Sequence, residues 1–360
     1  VAVELVHYSL NERVKMMQKL MSVISLIAIF VMNALAGPAH AEKPIVIKFS
    51  HVADENTPKG QMALKFKELV AQRLTGKVVV ELFSNSQLYD DNTVLEAMLL
   101  GDVQMAAPSV SKFGAYSKEI QVFDLPFLFD NRQALERFQT SPNGRQLLHS
   151  LNEKGLIGLG YLNDDLKILS ATKRLKVPAD AAGLRFRIQP SQVLAAQFNV
   201  LHATSLKKPF SQISTLLQDN AVDGQENTWT NIFSKNIFLE QPYITVSNHG
   251  VVSFLVVTST AFWQNLSDPI RQEIQQALHE AIAFGNNLTE QYSSYARQKI
   301  TASHRTEIIT LSDIERLQWK NTMKSVWQEF EGEIGRKLIE AAYQSNQPNN
   351  FARNPETNGI

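Results

Sequence analysis

Residues 45 to 108 alternate between strand and helix patterns, and this alternation restricts the fold more than any other feature of the chain. IVIKFSHVA, from Ile45, is a mostly apolar run with a polar exit, as in a strand. In PKGQMALKFKELVAQRLTG, Met62, Phe66, Leu69 and Val70 recur at helical spacing and Gly76 stops the helix. VVVELF from Val78 is the next strand, NTVLEAMLLG from Asn92 the next helix, and VQMAAP from Val103 another strand. A β-α-β-α-β succession calls for a largely parallel sheet covered by helices. Ligands in such sheets sit beyond the carboxyl ends of the strands, which directs attention to His51 to Thr57 and Ser109 to Phe113.

A second set of elements follows. The run from Ala134 reads as a helix broken near Pro142, LIGLGYL from Leu156 as a strand, then KILSA, the strand RFRI, helical QVLAAQF and helical NIFSKNIF. YITVSNHGVVSFLVVTS offers two strands around Asn248 to Gly250. Crossings near residues 163–167 and 248–252 divide the chain into two discontinuous lobes, 42–164 with 252–291 and 165–251 with 292–345, joined at a hinge. With Asp268 as a cap and Pro269 in the first turn, a helix of about thirty residues follows, which Gly285 weakens only locally. That length suits a backbone shared by both lobes. A further helical run spans Asp313 to Tyr343, and residues 346–360 read as a flexible tail.

The first 41 residues read as upstream sequence and a signal peptide. Lys15 and Lys19 precede an apolar run from Leu20 to Ala36, and Ala39 and Ala41 fit a signal-peptidase site with cleavage after Ala41. An uncleaved anchor is the alternative reading of the same run. Removal takes away Arg13, Lys15 and Lys19 against Glu4 and Glu12, so the 35 groups of each sign become 32 basic and 33 acidic. A nearly neutral chain argues against a broad nucleic-acid footprint. There is no cysteine, which excludes disulfides, thiolate metal sites, a cysteine nucleophile and a lipid anchor on cysteine. These features fit export to a bacterial periplasm.

Motifs for catalysis and cofactors are absent. No glycine-rich dinucleotide or phosphate loop, no H-E-x-x-H and no G-x-S-x-G elbow is present. The histidines beyond the leader, His51, His149, His202, His249, His279 and His304, have no ligand spacing. Asp164 and Asp165 read as turn residues or as part of a hinge or pocket rim. The expectation is a protein that is not an enzyme and holds no cofactor or metal.

Anion binding has more support. In GLRFRIQPS, alternation sends Phe186 to one side and Arg185 and Arg187 to the other. Unpaired guanidiniums do not enter a core, so that side is either solvent or the wall of a site supplied with an anion. An arginine fork can hold a carboxylate through two charge-assisted bonds. Lys167 is a candidate second cation, AVDGQEN is a turn that can present an amide, and Phe210 and Trp229 are either apolar walls or core.

Together, FSNSQLYDDNTVLEAMLLGDVQMAAPSVSKF, DLPFLF, GLRFRI and LQDNAVDGQEN, in this order, resemble the periplasmic solute receptors of the tripartite ATP-independent periplasmic (TRAP) transporters, in the branch that binds four-carbon dicarboxylates. The resemblance runs from Ile45 to about residue 340. It implies an α/β, two-lobed periplasmic binding protein with mixed sheets, a hinge and a long helix spanning both lobes. It also implies that Arg187 clamps a carboxylate while Arg185 is a rim or support residue. Asn227, Lys167 and Phe210 fall on family pocket positions, Ser109 and Lys112 on a loop facing from the opposite lobe, and His51 is an additional contact. Ser109 and Lys167 stand where the sialic-acid branch has glutamate and arginine, which favours a compact diacid such as succinate, malate or fumarate. The implied partners are that ligand and a TRAP membrane permease, with the receptor a monomer that binds no nucleic acid and spans no membrane once mature. A receptor for a 2-oxo acid or sugar acid, or a ligand-sensing subunit of a membrane signalling system, is the alternative.

Overall fold

The structure, a computed structural model, describes residues 14–25 and 43–347. Residues 14–25 are helical; the rest of the expected leader, with its cleavage site, and most of the expected tail lie outside the described residues. No described helix is long and apolar enough to cross a membrane.

The opening alternation folds as its pattern requires. β1 (Ile45–Ser50) pairs in parallel with β2 (Val78–Phe83) and β3 (Met105–Ala106). The helix Pro58–Arg73 makes the first crossover, with Thr57 accepting from the Gly60 N–H at its start and Met62, Phe66, Leu69 and Val70 buried against the sheet. In the second lobe, β5 (Arg185–Ile188) lies between β6 (Thr204–Lys207) and β7 (Gly224–Asn227), parallel to both.

Two long antiparallel strands join the lobes. β4 (Leu156–Ala171) and β8 (Tyr243–Ser259) run side by side, and the described strands form one mixed sheet in the order β2-β1-β3-β8-β4-β7-β5-β6, with β9 (Glu307–Thr310) also on β8. The expected breaks are therefore not breaks. Turn chemistry at Asn163–Asp165 is absorbed as a register shift between Asn163 and Leu166, where the Leu166 N–H donates to Asp165 Oδ1 at 2.7 Å. Asn248 takes φ +46° without ending β8.

The long helix is Asp268–Ala302, preceded by Ser267 in the cap position; Asp268 is its first residue rather than its cap, and pairs with Arg271. Ile274, Ala277, Leu278 and Ala281 belong to the core of the first lobe, whereas Ala296 and Ile300 join Ile168, Ile232 and Ile244 in a core of the second. One helix thus spans both lobes. Gly285 is more than a local weakness: a Cβ there would lie 2.8 Å from Met62 Cβ and 2.9 Å from Leu162 Cδ1, so the glycine permits the helix to approach Pro58–Arg73 and β4.

The run expected from Asp313 to Tyr343 is three helices, Asp313–Met323, Ser325–Ile334 and Arg336–Gln344, the last break falling at Gly335 with φ +94°. Trp319 and Met323 pack with Phe186 and Phe198, while Val326, Phe330 and Ile339 pack with Ile120, Phe123 and Phe138. This segment buries itself against residues from both lobes.

Candidate solute-binding site

Arg187 is the third residue of β5. Alternation sends Phe186 and Ile188 into the core, with Phe186 4.7 Å from the ring of Phe198, and turns Arg187 to the opposite face. There it is 1% exposed. Its Nε donates to the Lys208 carbonyl at 2.9 Å and its guanidinium lies 5.9 Å from the Phe210 ring, but buried Nη2 has no hydrogen-bond partner. Burial lowers its pKa to about 10, with Glu226 and Asp91 acting the other way. An unmatched buried guanidinium is costly, and an anion placed against it removes the cost. Arg185, two residues earlier, is already matched: Nε and Nη2 donate to the two oxygens of Asp223 at 3.0 and 2.9 Å.

Arg187 opens on a small cavity of about 30 Å³ between the lobes. Val52, Ala53, Lys59 and Asp91 line it from the first lobe, Gln189, Phe210, Asn227 and Asn231 from the second, and Val252 and Phe254 from β8. Lys59 is the second cation. It is 3% exposed, donates to the Ala107 carbonyl at 2.9 Å and sits 3.4 Å over the Phe254 ring. Burial lowers its pKa to about 8, partly offset by Asp91 and Asp164. A lysine in the first turn of a helix opposes the helix dipole, and that misplaced charge was the available sequence signal for a residue the motif reading missed.

The remaining residues singled out in the sequence occupy different places. Asn227 lines the cavity, and its Oδ1 accepts from the Thr228 N–H at 3.1 Å and from Asn231 Nδ2 at 2.8 Å. Phe210 lines it too. Lys167 does not: its ammonium is held 2.9 Å from Glu226 Oε1, while Glu226 Oε2 lies 2.9 Å from His249 Nε2, all three side chains being buried. Burial alone would raise the Glu226 pKa, but Lys167 and His249 bring it down to about 2. Ser109 is buried behind the wall, donating its N–H to Asp91 Oδ2 at 3.3 Å and bridging to Phe254. Lys112 donates to Asn92 Oδ1 at 2.8 Å and faces a larger open groove with Asp91 and Lys207. His51 is buried outside the lining residues, and burial with the nearby Lys59 charge lowers its pKa to about 3. Trp229 lies in the second-lobe core with Arg297 5.3 Å from its ring. Asn231, Val252 and Phe254 carry no motif and emerge only from the fold, and Gln189, inside GLRFRIQPS, is placed at the cavity only by it. Among the described residues no acidic and histidine cluster is arranged to hold a metal ion.

Two lobes meeting at a small cavity with a buried cation from each side define a binding receptor for a small organic anion. The chain belongs to the bacterial extracellular solute-binding protein family 7 (DctP), whose model matches residues 49–333. It is 50% identical over 334 residues to the C4-dicarboxylate-binding periplasmic protein DctP of Shewanella loihica, covering 93% of this chain and 97% of that protein. The Vibrio cholerae protein of the same name is 42% identical, covering 90% and 97% respectively. A solved TRAP periplasmic solute-binding protein from Shewanella oneidensis with bound succinate is 52% identical, with a TM-score of 0.84 over 84% of this chain and 100% of that one. One from Pseudomonas aeruginosa with bound L-malate is 44% identical, with a TM-score of 0.78 over 79% and 100%. The chain is thus a periplasmic receptor of the TRAP type, a binding protein and not an enzyme.

Proposed function

We propose that the cavity takes a four-carbon dicarboxylate such as succinate, malate or fumarate and that the closed receptor, a monomer, delivers it to a TRAP membrane permease. The observation that carries this reading is the pair of buried cations, Arg187 and Lys59, reaching one cavity from opposite lobes. A diacid offers a carboxylate to each. Arg187 holds one through its unpartnered Nη2, with Asn227 beside it and Phe210 covering the carbon chain; Lys59 holds the other. Lys167, Ser109, Trp229 and His51 support the walls, and Lys112 acts through charge near the site. Relatives named as C4-dicarboxylate-binding proteins, and similar structures holding succinate or malate, favour the same ligand class.

Titration calorimetry on the mature protein tests this. Saturable binding of succinate, malate or fumarate is expected. A more than tenfold preference for a monocarboxylate or a sugar acid would reject the substrate class. Loss of dicarboxylate uptake on gene deletion, with transcription of the uptake genes intact, separates transport from signalling.

A further inference from the structure

Asn227 and Asn231 both face the cavity, and a carboxylate behind them decides which way each amide points. Asp164, buried at the register shift of β4, accepts at Oδ2 from Thr228 Oγ1 at 3.0 Å and from Asn231 Nδ2 at 3.2 Å. Asn231 Nδ2 also donates to Asn227 Oδ1 at 2.8 Å, and that oxygen takes the Thr228 N–H as well. Both Nδ2 protons of Asn231 are therefore committed. Turned over, Asn231 would aim its carbonyl at a carboxylate and at another carbonyl. The amide of Asn227 is fixed in turn, with its carbonyl occupied and its NH2 left for the cavity. Burial and the neighbouring Asp165 raise the Asp164 pKa to about 7, and its Oδ1 has no partner; a proton resting there leaves Oδ2 an acceptor.

Resting on the reading that the cavity binds a dicarboxylate, we propose that Asp164 is a positioning residue: through Asn231 it holds the Asn227 NH2 toward a ligand carboxylate and the Asn231 carbonyl toward a ligand hydroxyl. The second half makes a hydroxylated diacid distinguishable from a plain one, since only the hydroxyl can donate to that carbonyl.

The sign of the effect separates positioning from simple charge. If Asp164 acted only through the charge of its ionised form beside an anion site, both Asp164→Ala and Asp164→Asn would tighten binding. Positioning predicts that Asp164→Ala weakens succinate and L-malate at least tenfold at a binding stoichiometry near one, whereas Asp164→Asn, which keeps an acceptor oxygen, stays within about threefold of the parent. Asn231→Leu should cost malate at least threefold more than succinate. An Asp164→Ala protein that binds as tightly as the parent, or an unchanged malate-to-succinate ratio in Asn231→Leu, would overturn the assignment. A readout without ligand covers poor folding of the variants or a parent that binds neither diacid, an outcome that rejects the dicarboxylate reading alone. In nitrogen-15 spectra of the parent, the Asn231 side-chain protons should be protected from solvent exchange, and free exchange there would refute the relay.

Discussion

Replacing Arg187 by methionine should separate stability from affinity, because the empty protein and the filled one value this guanidinium oppositely. The lowering of its pKa to about 10 by burial corresponds to roughly 3 kcal/mol by which the folded state disfavours the charge. Methionine removes that penalty and keeps most of the volume, but it leaves the Lys208 carbonyl without its donor, at a cost of about 1–3 kcal/mol. The two nearly cancel, so the empty variant should melt within about 4 °C of the parent. Affinity has no such compensation. Two charge-assisted bonds at roughly 1.5–3 kcal/mol each amount to about 3–6 kcal/mol, or on the order of 10² to 10⁴ in Kd. Thermal unfolding with and without succinate reads both quantities. At a ligand concentration of about 100 Kd the parent should gain roughly 2.7 kcal/mol, and the variant close to nothing. A variant that keeps the succinate-induced shift, or that loses more than about 10 °C when empty, would refute the reasoning.

Lys59, with its pKa near 8 when the site is empty, should make affinity fall as pH rises through that value, by up to about tenfold at pH 9. The stability of the empty protein should move the other way: a lysine whose folded pKa is depressed favours the folded state increasingly from about pH 8 up to the unfolded value. Calorimetry and melting curves across pH check the two signs. Lys167→Ala should destabilise by about 3–5 kcal/mol by stranding buried Glu226, with affinity in the folded fraction changed less than about threefold; a large affinity loss with normal melting would restore Lys167 as a ligand. Gly285→Ala should cost about 1–3 kcal/mol through overlap with Met62 and Leu162, against roughly 1 kcal/mol regained in helix propensity, and chemical denaturation will show a net loss. Lys235 bridges the lobes to Asp54 at 3.2 Å and Asn85 at 2.8 Å; being partly exposed it is worth at most about 1 kcal/mol, so Lys235→Ala should weaken succinate no more than about fivefold.

The parts of this fold governed by local periodicity were legible in the sequence. The Ile45 to Pro108 alternation and the long helix are set by spacing and by Gly and Pro punctuation. The strand breaks in β4 and β8 were misread because Asn163–Asp165 and Asn248–Gly250 carry turn chemistry. In a long antiparallel pair that chemistry is satisfied by register shifts and a single left-handed residue. At the site, alternation could separate Phe186 from the arginines but not Arg185 from Arg187. What separates them is Asp223, thirty-eight residues downstream of Arg185 and brought to it by β7. Lys167 looked equivalent to any other cation at a crossing until the fold set Glu226 opposite it. Lys59, Asn231 and Phe254 come from three distant segments, and no one-dimensional pattern links them.

The placement of the two cations also explains how a ligand can act on the lobes. Arg187 belongs to β5 and Lys59 to the first helix, so parting the lobes returns water to both. Closure without ligand would strip that water from two like charges at once. In the proposed binding mode a diacid would reverse the balance only if both lobes contact it together, because each carboxylate would answer a cation on a different lobe. A monoacid matches one and leaves the other buried and unpaired. On the proposed reading, selectivity for two carboxylates and preference for the closed form would have one physical origin: the anion would bind the closed arrangement better than the open one by the desolvation it relieves on both sides.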